Sequence, residues 1–237
     1  MKKELLIASV FAATIAGAGS VTTSNTMGYI PVTAANSTAV DSKKMYMVVA
    51  PFKGYDSDKI ALADVIQTAG LTENDEIFIP NGTGYDNYKL NDKGAWSASK
   101  VVTINSDGTV TEKSGTPAET AEIVRGKAFW VKTAATSISL FGNAVEAVTD
   151  VSAAGGETKN AWTMIGSTLN APIALSNLGG SSGDTIILAN GTRYVKGGTS
   201  GWKNFTTGKP VPLESKESIP AGVGFWYGTK SGFNGNL

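Results

Sequence analysis

Apolar positions in this chain come in short runs broken by turn residues, and a period of two dominates. Met45-Tyr46-Met47-Val48-Val49-Ala50-Pro51-Phe52 reads as an apolar strand stopped by proline. Leu62, Val65 and Ile66 follow with helical spacing, which predicts one amphipathic helix of two or three turns ending before Gly70. Ile77-Phe78-Ile79 is a strand, Asn81-Gly82 a turn, and residues 85–90 alternate as a second strand. Val101-Val102-Thr103-Ile104 and Thr109-Val110-Thr111 flank Asn105-Ser106-Asp107-Gly108, which is a hairpin pattern. Residues 128–132 and 137–141 supply two more strands. Residues 148–160, with Ala153-Ala154-Gly155-Gly156, read as a linker before Ala161-Trp162-Thr163-Met164-Ile165-Gly166 opens a new series.

That second series repeats the first. Asp75-Glu76-Ile77-Phe78-Ile79 is echoed by Asp184-Thr185-Ile186-Ile187-Leu188. Asn81-Gly82-Thr83-Gly84-Tyr85 is echoed by Asn190-Gly191-Thr192-Arg193-Tyr194, and Trp96 by Trp202. Phe129-Trp130 recurs as Phe225-Trp226, each after a glycine-containing turn, and Ile165 aligns with Val49. The expected architecture is all-β and mainly antiparallel. It comprises two tandem homologous small sandwich or barrel-like domains, residues 45–147 and 161–237, with at most one short helix each. The 101–111 hairpin has no counterpart in the second copy, where Ile173 to Leu178 stands in the place of the helix.

Before the first copy, Lys2-Lys3, the apolar run of residues 5–18 and Ala16-Gly17-Ala18 have the form of a secretory leader, so residues 1–18 are expected to be removed. No later segment reads as a membrane span. Residues 19–44 are rich in Ser, Thr, Asn and Ala around one strand-like island holding Met27, Tyr29, Ile30 and Val32. This island either pairs onto the first copy or adds to the sheet edge of a neighbouring molecule.

Composition narrows the chemistry. The chain of 237 residues has 20 basic and 20 acidic side chains, and only Arg125 and Arg193 are arginines, so it offers no electrostatic footprint for nucleic acid. It contains neither cysteine nor histidine. Disulfides, thiol nucleophiles and Ser-His-Asp triads are therefore excluded, and no cofactor or metal site is expected. Asp56-Ser57-Asp58 lacks the remaining ligands of a calcium loop, and the Glu73-Asn74-Asp75-Glu76 cluster reads as turn acids. Asp75 and Asp184 occupy matching places in the two copies, which explains them better than a glycosidase pair does.

In each Phe-Trp strand one ring must enter the core while the other faces out or meets the sister copy. Tyr85, Trp96, Tyr194 and Trp202 are the candidate contacts for a sugar or a protein partner, as an outward aromatic platform.

The finish Ile219-Pro220-Ala221-Gly222-Val223-Gly224-Phe225-Trp226 and the opening Val48-Val49-Ala50-Pro51 resemble a group of secreted bacterial proteins with duplicated β domains. Ile123-Val124-Arg125-Gly126-Lys127-Ala128-Phe129-Trp130 matches the finish without its proline and second glycine. The resemblance implies a cell-surface or extracellular β module and carries no catalytic residue. The expected function is a secreted, non-catalytic structural or interaction protein that assembles with itself or binds other surface proteins. The alternative is a carbohydrate-binding or adhesive module.

Overall fold

The computed structural model describes residues 27–53, 57–66, 71–82, 84–113, 117–145, 149–198, 201–211 and 217–237. The expected leader, residues 19–26, Asp56, Gly70, Thr83 and Val148 lie outside them.

Almost every element is an antiparallel strand. The first half contains β1 (Met27–Thr33), β2 (Ser37–Val40), β3 (Lys43–Val49) and β4 (Lys59–Ala61), then the one-turn helix α1 (Leu62–Val65). It continues with β5 (Glu76–Pro80), β6 (Gly84–Leu90), β7 (Trp96–Ile104), β8 (Val110–Lys113), β9 (Glu122–Val124), β10 (Ala128–Thr133) and β11 (Ser137–Asn143). The second half contains β12 (Asp150–Ala153), β13 (Ala161–Gly166), β14 (Ile173–Ala174), β15 (Thr185–Leu188) and β16 (Arg193–Gly197). β17 (Gly201–Asn204), β18 (Ser218–Ile219), β19 (Gly224–Thr229) and β20 (Phe233–Asn236) complete it.

The main sheet of the first half runs β2-β3-β10-β5-β6-β7-β8, and that of the second β13-β19-β15-β16-β17. Shorter ladders cover their inner faces: β1-β11 and β4-β9 in the first half, β12-β20 and β14-β18 in the second. Alternation drives this layering. Phe129 and Val131 point into the core from β10, as Phe225 and Tyr227 do from β19, and all four are buried. A single apolar cluster runs from Ile30 to Leu237 through both halves.

Register ties the halves position by position. Phe129 stands opposite Val48 and Phe225 opposite Ile165, so Ile165 corresponds to Val48, one residue off the sequence alignment with Val49. Ile77 stands opposite Tyr88 and Ile186 opposite Tyr194, so the residue matching Tyr194 is Tyr88 and not Tyr85. Eight residues separate Phe78 from its partner Asn87, but five separate Ile187 from Arg193; the first hairpin is longer by three. Trp96 opposite Leu90 and Trp202 opposite Lys196 do match.

Two expectations change, and one that was left open is decided. The 60–66 segment makes one helical turn, because Lys59–Ala61 is drawn into the β4-β9 ladder and Ile66 bridges to Leu140. Without a side-chain cap, so short a helix has little of its own to hold it against strand pairing. The stretch read as a linker contains β12, with Val151 and Ala153 buried. The island at Met27, Tyr29, Ile30 and Val32 pairs within its own chain, Met27 opposite Asn143 through Thr33 opposite Ser137, with Ile30 and Val32 buried. That strand is therefore occupied and is not free for a neighbour.

Gly222 shows how tightly the halves meet. Its φ of +74° suits glycine, and a Cβ there would lie 2.8 Å from Ile30 Cγ2 and 3.1 Å from Val32 Cγ2. Gly82, with φ of +91°, has nothing within 4 Å of the same position. Gly222→Ala should therefore destabilise by about 2–4 kcal/mol and Gly82→Ala by about 1 kcal/mol in urea unfolding. Equal losses would show that the close approach at Gly222 contributes nothing.

Candidate functional site

The outward rings of the two Phe-Trp strands build the site. Trp130 lies between Met47 and Phe78 on the outer face of its sheet. It hydrogen-bonds the Tyr85 hydroxyl, the indole N–H donating. Phe78 meets Tyr85 edge-on at 6.4 Å between ring centroids. Burial raises the Tyr85 pKa above the ordinary tyrosine value, and the Trp130 bond opposes that. Trp130, Tyr85 and Trp226 all pack on a second apolar cluster of Met47, Val49, Ala128, Met164 and Ala189, which draws on both halves.

Backbone contacts hold the two outer faces together reciprocally. Val49 N–H donates to Gly222 C=O at 2.9 Å, and Gly166 N–H to Gly126 C=O at 3.1 Å. Val48 bridges Val223, and Lys127 bridges Ile165. Since Val49 corresponds to Gly166 and Gly126 to Gly222, one set of contacts is the other turned about a local two-fold axis.

The two sides of that axis differ. On one side Ala189 is buried in the shared cluster, and Asn190 Nδ2 donates to Ala35 C=O at 3.2 Å. On the other side a cleft of about 620 Å³ remains open. Its first wall holds Pro80, Tyr85, Ile104, Val124 and Lys127, and its second holds Trp162, Thr163, Met164 and Trp226. Pro80 to Tyr85 belongs to the lengthened hairpin, and Ile104 to the β7-β8 hairpin. The latter has a counterpart after all: the chain turns back on β17, with Lys203 bridged to Pro210, in a shorter version. The longer hairpins of the first half therefore form part of one wall of the cleft, and Val124 and Lys127 complete it.

Three large apolar side chains on the cleft are open to solvent: Ile104 at 57%, Trp162 at 43% and Val124 at 40%. The Trp162 ring lies over Gly228, where a Cβ would fall 2.6 Å from it, so one indole face is backed by backbone. The charges nearby are already engaged. Glu122 pairs with Lys59 at 2.7 Å, and Lys127 Nζ donates to Ser152 C=O at 3.1 Å. Partial burial lowers the Lys127 pKa from the usual lysine range. An uncharged, partly apolar ligand fits this lining better than an ion does.

Of the four aromatics expected on an outer platform, only Tyr85 reaches the cleft. Trp96, Tyr194 and Trp202 are buried. Trp202 Nε1 donates to Leu178 C=O at 2.8 Å, and the Tyr194 hydroxyl donates to Glu217 at 2.6 Å. They face the core because they stand beside inward positions of the ladder, a register that local alternation alone does not fix. Trp162, Ile104 and Val124 carry no signal of their own in the sequence. Trp162 begins a strand and Val124 ends one, and only the fold brings them face to face.

The acidic candidates hold turns. Asp75 Oδ2 accepts from Thr72 N–H at 2.9 Å and the Thr133 hydroxyl at 2.6 Å, and Oδ1 meets Lys43 Nζ at 2.8 Å. Asp184 Oδ2 accepts from Ser181 N–H at 2.8 Å and the Tyr227 hydroxyl at 2.7 Å. Asp58 pairs with Arg125 at 3.4 Å. Among the described residues no three acidic side chains gather as a metal site would require.

Burial, followed by the neighbouring carboxylate, pushes the Tyr194 and Tyr227 pKa values far above the ordinary tyrosine range. The unfolded chain releases these protons near pH 10, the folded chain only well above it. Their contribution is thus complete below about pH 10 and is lost as pH rises further. The urea midpoint should hold from neutral pH to that point and then fall. Tyr227→Phe should cost about 1–3 kcal/mol at neutral pH and make the alkaline fall shallower. An unchanged alkaline slope would remove Tyr227 as its source.

Comparison with family models, curated proteins and solved structures finds no match for this chain.

Proposed function

We propose that the chain is an exported, non-catalytic interaction protein built from two homologous β units, and that the cleft between its halves is the recognition surface. The observation that carries this reading is the solvent-open apolar lining of Ile104, Val124 and Trp162 beside Tyr85 and Trp226. Exposed apolar groups gathered at a concave site mark a place where another molecule sits. The leader pattern supports export, and the absence of His and Cys from the whole sequence supports a non-catalytic role.

A sugar-binding role has one observation in its favour, the open face of Trp162 backed by Gly228. A sugar also needs several polar partners, and here Glu122 and Lys127 are already engaged. An extended polypeptide, which brings its own backbone donors and acceptors, suits the cleft better.

Panning a random peptide library and probing a glycan array with the mature protein separates these readings. Peptides with alternating apolar residues should be enriched, and Trp162→Lys should abolish their binding. Because Trp162 is 43% exposed and its ring covers Gly228, that variant should keep the wild-type fold at a cost of about 1 kcal/mol. Glycan binding lost in Trp162→Ala would select the carbohydrate role, and no Trp162-dependent binding of either kind would overturn the cleft as recognition surface.

A further inference from the structure

We infer that the cleft receives residues 19–26 of a second copy of this chain, added as a strand to the outer edge of β13; this rests on the reading of the cleft as a recognition surface. β13 is an edge strand of its sheet. In the first half the matching edge, that of β3, is already covered. There β2 lies antiparallel on it, with Ser37 opposite Tyr46, Thr38 opposite Met45 and Ala39 opposite Lys44. Through Phe129 and Phe225, these three β3 positions correspond to Thr163, Trp162 and Ala161. The described residues place no strand opposite those three.

The open edge has hydrogen-bonding capacity. Gly166 N–H points across to Gly126, and alternate residues of an antiparallel strand share an edge, so the N–H and C=O of Trp162 point the same way. The Lys127–Ile165 bridge closes one end of this edge, and the cleft runs beside the rest. An incoming strand would therefore find backbone partners at Trp162 and an apolar wall at Val124 and Ile104.

Two other edges of the main sheets are guarded, those of β8 and β17. β8 carries Glu112 and Lys113, and β17 carries Lys203, itself bridged to Pro210. Charges on an edge oppose strand addition, and the Ala161-Trp162-Thr163 edge has none.

The occupant follows from composition and reach. Residues 19–26 read Gly-Ser-Val-Thr-Thr-Ser-Asn-Thr, uncharged and rich in β-branched side chains. The strand that covers the matching edge reads Ser-Thr-Ala-Val, the same kind of sequence. Eight extended residues span about 26 Å, enough to cover the open edge. They lead directly into β1, whose own pairing onto β11 anchors the donor copy.

The test uses the protein from residue 19, the same protein from residue 27, and a synthetic peptide of residues 19–26. Light scattering should show concentration-dependent assembly of the longer protein and monomer for the shorter one. The peptide should block assembly, and in the shorter protein it should slow hydrogen exchange at Trp162 by about tenfold or more. Thr22→Pro in the longer protein should abolish assembly without altering its fold. Assembly that survives loss of residues 19–26 but fails in Trp162→Lys would overturn the arm and leave the cleft standing. Assembly indifferent to both changes would overturn both. A monomer whose Trp162 amide is protected only when residues 19–26 are present would place the arm in its own chain and overturn the second copy.

Discussion

The close approach of two glycine turns to the opposite half organises this molecule. Gly126 and Gly222 both adopt positive φ just before a Phe-Trp strand, and both have side chains of the other half where a Cβ would stand. For Gly126 these are Val151 and Thr168, and for Gly222 they are Ile30 and Val32. Each turn carbonyl accepts from the end of the other half's leading strand. Any side chain at either turn would push the sheets apart, separate the shared cluster of Met47, Val49, Ala128 and Met164, and leave Trp130 and Trp226 without a surface to cover. The outer faces become a core because backbone can reach backbone there.

The fold class was legible because alternation is local. Phe129 against Trp130 and Phe225 against Trp226 could be split into an inward and an outward ring from their adjacency alone, and the structure places them so. The turn at Asn105-Ser106-Asp107-Gly108 was equally local, with Gly108 at a φ of +82°. Pairing over longer distance was not legible. β12 looked like a linker because Gly155-Gly156 dominates its surroundings, yet Val151 and Ala153 are held by β20 at the far end of the chain. The one-turn helix is similar: its apolar spacing was real, and Leu62 and Val65 are buried, but the flanking residues are held as strand.

The candidate site was the least legible part, for a specific reason. Tyr85 and Tyr194 share a sequence setting, Asn-Gly-Thr-x-Tyr, but the first hairpin is longer and its ladder shifts the correspondence to Tyr88. Tyr88 and Tyr194 are both buried, which releases Tyr85 to the cleft. The same three residues that spoiled the alignment also helped to create the cavity. A site made where two similar sequence patterns differ does not appear in what those patterns have in common.

That difference bears on how such a molecule can associate. The reciprocal contacts between Val49 and Gly222 and between Gly166 and Gly126 use up the surfaces related by the local two-fold axis, and they are satisfied within one chain. The cleft lies off that axis and has no open counterpart among the described residues, because Ala189 and Asn190 close the opposite side. A contact made through it joins unlike surfaces and is heterologous. Such contacts close into rings only at particular rotations and otherwise extend as open chains. An arm entering beside β13 would moreover bring a strand that continues into β1 of the next molecule, so each added copy would present its own open β13 edge in turn. An arm and an edge on unlike surfaces would make such growth directional.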